Sequence, residues 1–245
     1  MRVHDMLVDE RRRAADLIAG LSPAQLRRPT LCAGWTVHDV AAHLVSYLRF
    51  GQAKLYLGIL CTAADLDRVN VALTRWTARR PTGALVATLR RGAGSRTTIP
   101  RSGYDPVLTD ILLHDLDIRR PLGIRREMPA DRLRVALDHL TSKPSPGFAM
   151  GTRLRDLHFA ATDLPWEAGG GAPVRGRAED LLLAVGGRPA GLDALTGPGV
   201  EVLRSRLVPG RAGPPPVAQR LKAVALVLLS PPPPARRRRD ATGGR

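Results

Sequence analysis

Asp110, His114 and Asp117 recur at i, i+4 and i+7 in the segment Asp110-Ile111-Leu112-Leu113-His114-Asp115-Leu116-Asp117. On a helix advancing about 100° per residue they share an arc of roughly 60°, so one face presents a carboxylate, an imidazole and a second carboxylate. That face adjoins the apolar arc of Val107, Ile111 and Ile118, as polar groups do at the edge of a buried stripe in a helical bundle. Such a set suits a metal site or a proton-transfer site. A second segment, Trp35-Thr36-Val37-His38-Asp39-Val40-Ala41-Ala42-His43-Leu44, puts His43 at the margin of another apolar stripe, where it can complete a His/Asp/His set. A single histidine at a stripe edge more often serves packing, and the two segments are too far apart for a local metal-ligand motif. The chemistry therefore depends on the fold bringing them together.

The elements that must do so are well punctuated. Val3, Leu7, Ala14, Leu17, Ile18 and Leu21 predict an amphipathic first helix with an arginine-rich polar face. Ser22-Pro23-Ala24-Gln25 and Thr36-Val37-His38-Asp39 are capping-box patterns that open a short connecting helix and the helix of His43. Thr62-Ala63-Ala64-Asp65 caps a helix running towards Trp76, and a further helical stretch covers Ala84 to Leu89. Asp105-Pro106 opens the helix of Asp110 and His114, which Pro121 is expected to end; Pro129 begins another that runs through Leu140. Four main helices with short connections predict a bundle.

Beyond Pro144 the texture changes. Leu154 to Thr162 suits a strand, Glu167 to Gly176 a glycine-rich turn leading into a second strand, and Ala178 to Val185 a compact apolar helix ended by Gly186-Gly187-Arg188-Pro189. One more helix is expected within Leu192 to Leu207, after Gly197-Pro198-Gly199. The fold class is α+β: a helical bundle over 1–143, a small α/β domain over 148–207, and a Pro/Arg-rich tail over 208–245 expected to be disordered.

Composition narrows the function classes. The chain has 245 residues, 44% hydrophobic, enough for a large core. No apolar run approaches the ~20 residues that span a bilayer, and Glu10-Arg11-Arg12-Arg13 interrupts any signal-peptide segment, so a cytoplasmic location without membrane association is expected. The formal charge is +16, of which the stretch from Arg204 onward supplies nine, so the folded body does not read as a nucleic-acid binder; weak association through the basic tail is the exception. Cys32 and Cys61 are two cysteines without a disulfide framework; Cys32 reads as a buried structural thiol, with a redox role open because it adjoins the first motif.

The run from Leu31 to Leu44 resembles the N-terminal motif of the mycothiol-dependent maleylpyruvate isomerase family, and His114-Asp115-Leu116-Asp117-Ile118-Arg119-Arg120-Pro121-Leu122-Gly123 resembles its second motif. Ala161-Thr162-Asp163-Leu164-Pro165-Trp166, Ala178-Glu179-Asp180-Leu181-Leu182-Leu183 and Gly187-Arg188-Pro189 resemble its C-terminal part, so the likeness covers roughly residues 5 to 205. The resemblance implies a DinB-like four-helix bundle followed by a small α/β domain. It also implies zinc or another divalent metal held by His43, Asp110 and His114, with Asp110 where better-known members carry glutamate.

Three protein ligands leave a coordination position open, the pattern of a catalytic rather than a structural zinc. The implied activity is a mycothiol-dependent isomerase or S-transferase, with mycothiol as thiol cosubstrate and a small electrophile as substrate. Asp117 would accept a proton from a liganding histidine or position Arg119, and Arg119 would grip an anionic group, although arginines at a helix C-terminus also complement its dipole. His38 is expected to be exposed, Asp39 to be the capping carboxylate, and Trp35 to fasten its loop to the bundle. The alternative is a non-enzymatic DinB-like module that binds a ligand or partner with a vestigial metal site. A chain of this kind is compatible with a monomer or a dimer.

Overall fold

The computed structural model describes residues 2–48, 66–98, 103–142 and 154–207. Helix α1 (Val3–Ala19) lays Leu7, Ala14, Ala15 and Ile18 into the core, and a short α2 (Pro23–Leu26) follows with both capping-box bonds between Ser22 and Gln25 made. Helix α3 covers 37–48. At its start the Asp39 carboxylate accepts the Thr36 N–H at 2.9 Å, while Thr36 Oγ1 accepts the Asp39 N–H at 3.2 Å; Asp39 is the capping residue that the sequence suggests. Helices α4 (Leu66–Thr77), α5 (Thr82–Arg91), α6 (Asp105–Leu122) and α7 (Ala130–Ser142) complete the helical part. The expected cap at Thr62 to Asp65, Cys61 and the basic tail lie outside the described residues.

Helix α6 is the centre of the molecule. It packs against α1 on one side and α7 on the other, and Val37 and Val40 of α3 meet its Ile118. Pro121 does not end it. The proline lies inside the last turn, and Gly123, left-handed at φ 67°, closes the helix, its N–H reaching the Arg120 carbonyl and that of Ile124 reaching Arg119.

The C-terminal part is a three-stranded sheet with two helices. β1 (Leu157–Ala161) is central, antiparallel to β2 (Glu167–Gly169) and parallel to β3 (Ala172–Gly176), with Phe159 opposite both Ala168 and Val174. Two strands thus occupy the stretch expected to hold one. Helix α8 (Ala178–Val185), a 3₁₀ turn over Pro189–Ala194 and α9 (Gly199–Leu207) follow; α9 is the helix expected after Gly197-Pro198-Gly199, and the 3₁₀ turn precedes it.

Helix α8 packs on α7 and also touches α6, and one apolar core runs without a break from Met6 and Leu7 to Leu203 and Leu207. The expected boundary at 143–148 falls outside the described residues.

Candidate metal centre

The His43 side chain leaves α3 and meets α6 at Asp110, in the second turn of that helix. Its Nε2 lies 3.5 Å from Asp110 Oδ2, and His114 Nε2 lies 3.5 Å from Asp110 Oδ1. The imidazole centroids are 4.7 Å apart, and both rings are nearly inaccessible to solvent. The structure thus brings together the three residues that the sequence singled out. One carboxylate reaches both histidines, so the shorter aspartate spans the site without help from a longer side chain.

Each histidine is held from behind. His114 Nδ1 donates to Asp117 Oδ2 at 2.9 Å, which leaves Nε2 turned to Asp110. His43 Nδ1 lies 3.4 Å from Thr74 Oγ1, a fully buried hydroxyl on α4. Trp35 stacks over His114 with the centroids 6.3 Å apart and the planes 12° apart, and lies 5.2 Å from the His43 ring. The residue expected to fasten its loop also walls the histidine pair.

Asp117 is a junction that the sequence showed only in part. Arg188 donates to its Oδ1 from Nε at 3.1 Å and to Oδ2 from Nη2 at 2.8 Å. Cys32 Sγ lies 3.1 Å from Oδ2 and 3.5 Å from Arg188 Nη2, so this half-buried thiol belongs to the site's surroundings rather than to a remote core position. Arg188 arrives through the turn after α8. Gly187 adopts φ 87°, the Arg188 N–H bonds back to the Leu183 carbonyl, and a Cβ at Gly186 would meet Leu113 Cδ2 at 2.5 Å. Glycines at these two positions let the helix end approach α6 closely and turn Arg188 onto Asp117.

Arg119 is placed elsewhere. Its Nε bonds both oxygens of the buried Asp115, at 2.8 and 2.9 Å, in a network that continues through Arg126 to Glu10 and Arg132 between α1 and α7. Nine residues from Asp110, it lies on the opposite face of α6, as the same 100° rule requires. Arg188, within the Gly187-Arg188-Pro189 motif, stands beside Asp117 instead. His38 also departs from expectation: half-buried, it reaches the Ala78 carbonyl from Nε2 at 2.9 Å and the Thr82 hydroxyl from Nδ1 at 3.1 Å, tying α3 to the α4–α5 turn.

The electrostatics follow from this geometry. Desolvation opposes the charge of Asp110, but the two imidazoles outweigh it and hold the carboxyl well below the usual carboxylate range. Asp117 is likewise held low by His114 and Arg188 against its burial. Burial disfavours a charged His114, yet Asp110 and Asp117 raise its pKa well above the ordinary histidine value; burial dominates at His43 and lowers it.

Among the described residues two donor sets are gathered closely enough for a cation: His43/Asp110/His114 and Cys32/His114/Asp117. In the second, both Asp117 oxygens are already taken by Arg188 and His114. In the first, His43 Nε2 is buried, has no hydrogen-bond partner among the described residues and faces the other two donors. Ligands about 2.0–2.2 Å from a tetrahedral centre are separated by about 3.3–3.6 Å, and the 3.5 Å separations fit that spacing. The residues present fit a divalent metal with nitrogen and oxygen ligands.

Residues 7–103 match the mycothiol maleylpyruvate isomerase N-terminal domain. That domain belongs to the family whose motifs the sequence resembles. The matched stretch includes Trp35 and His43, whereas Asp110 and His114 lie just beyond it. The fold is similar to a crystal structure of the mycothiol-dependent maleylpyruvate isomerase, at 15% identity and TM-score 0.51, over 81% of this chain and 95% of that one. A histidine-to-alanine mutant of that enzyme gives 14% identity with the same TM-score and coverage. This likeness carries the α+β architecture across the bundle and the sheet module. No curated protein matches the chain.

Proposed function

We propose that the chain is a mycothiol-dependent metalloenzyme that activates a thiol for transfer to, or cis-trans isomerisation of, a small electrophilic substrate. The observation that carries this reading is the convergence of His43 Nε2, Asp110 and His114 Nε2, with the His43 nitrogen buried and lacking a hydrogen-bond partner among the described residues. The match of residues 7–103 to the isomerase N-terminal domain supports the thiol and the reaction class.

His43, Asp110 and His114 would hold zinc or another divalent cation. Bound there, the cation would supply a Lewis-acid centre that favours the thiolate form of an entering thiol. His114 keeps its Nδ1 proton on Asp117, so its Nε2 lone pair is available to a cation. Asp117 is prevented from drifting by Arg188. Trp35 covers the two imidazoles from the loop side and limits water there. Asp117 thus acts through His114, as a positioning residue rather than a base.

The test is elemental analysis of purified wild type, His43→Ala and His114→Ala, paired with a mycothiol transfer assay on small electrophiles. Wild type should carry one divalent metal per chain and consume mycothiol, and each variant should lose both properties. Metal-free wild type after zinc reconstitution, or full activity in either variant, overturns the reading.

A further inference from the structure

Pro121 sits in the last turn of α6 and carries no N–H, so the carbonyl four residues back, that of Asp117, has no helical donor. The proline ring also crowds that carbonyl and tilts it away from the helix axis. Asp117 O is nevertheless satisfied: it accepts the Leu31 N–H at 3.2 Å. Leu31 belongs to a tight loop whose internal bonds fix its shape. Pro29 and Thr36 form a bridge, Thr30 N and Thr30 Oγ1 both donate to the Trp35 carbonyl at 3.0 Å, Trp35 N donates to Cys32 O at 3.1 Å, and Gly34 is left-handed at φ 78°. A loop so braced moves as a unit, and the Leu31 bond is its backbone anchor on α6. That unit carries Trp35 over His43 and His114 and Cys32 against Asp117.

We propose that Pro121 is a positioning residue for the ligand cluster: by withholding one helix N–H it leaves the Asp117 carbonyl to anchor loop 29–36, which holds Trp35 against His43 and His114. Asp117 then joins the loop through its backbone and the histidine through its side chain. The significance for catalysis rests on the proposed function, but the docking itself does not.

Pro121→Ala restores the N–H in a residue that favours helix, so the new donor competes with Leu31 for Asp117 O. In the metal-free full chain, amide exchange at Leu31 should become roughly five- to tenfold faster. Exchange in the first three turns of α6 should stay as in wild type, and the imidazole NMR signals of His43 and His114 should shift as Trp35 moves. Pro121→Gly restores the same N–H while weakening the helix, and should give the same Leu31 effect despite lower overall stability. Unchanged Leu31 protection in Pro121→Ala, exchange accelerated uniformly along α6, or unmoved histidine signals would each overturn the proposal. Wild type that holds no metal would sink the functional reading and leave these readouts intact.

Discussion

Arg188 grips both carboxylate oxygens of Asp117, at 3.1 and 2.8 Å, from 71 residues further along the chain. A planar guanidinium suits this two-point contact and a lysine does not. Arg188→Lys should therefore weaken zinc binding by about 10- to 100-fold, the usual effect of disturbing the groups that orient metal ligands. Competition with a chromophoric chelator measures it, and an unchanged dissociation constant would show that Asp117 orients His114 unaided.

Asp110 serves both histidines through separate oxygens, each 3.5 Å away. Asp110→Asn keeps the shape and removes the charge. Elemental analysis should find this variant metal-free, whereas Asp110→Glu should retain metal; stoichiometric metal in the asparagine variant would exclude Asp110 as a ligand.

Arg119 offers a contrast on the same helix. Arg119→Ala leaves Asp115 buried with, among the described residues, only Arg126 at 3.4 Å as an ion-pair partner, which should cost on the order of 2–3 kcal/mol of stability. Zinc affinity should not change. Denaturant unfolding and the chelator titration together check both halves, and a loss of affinity would restore Arg119 to the site.

Burial raises the pKa of Glu179, although its carboxylate accepts the Met128 N–H at 3.3 Å and lies 3.5 Å from Arg120. A carboxyl with a raised folded pKa favours the fold while protonated, below its ordinary value near 4.5, and that contribution is lost as pH rises through the folded value. Glu179→Gln keeps an acceptor for Met128 without the charge. Its melting temperature should match wild type near pH 4 and exceed it at pH 7, by about a degree or two. Equal melting curves at both pH values would contradict this.

Local signals in the sequence carried much of this architecture. Capping residues such as Thr36 with Asp39 and Ser22 with Gln25 act within one turn, so the helix starts they predict are found. The i, i+4, i+7 spacing places Asp110, His114 and Asp117 on one face because helical geometry alone does so. Arg188 escaped because its partner is 71 residues away and its Gly187-Arg188-Pro189 context reads as a helix end. Arg119 pairs with Asp115, and the angular rule already puts it opposite Asp110. His38 near an exposed helix start gave no hint of the α4–α5 turn that closes over it. A three-residue strand such as β2 is too short for any alternation to show.

The turn at Gly187 has a consequence for how such a site can be assembled and inherited. A polypeptide emerging from the ribosome has all three candidate ligands once residue 114 is out, but Asp117 lacks its guanidinium partner until Arg188 follows. Fragments ending near residue 143 would inherit the histidines without the brace. Recombination that separated the bundle from the sheet module would therefore pass on His43, Asp110 and His114 without the guanidinium that braces Asp117.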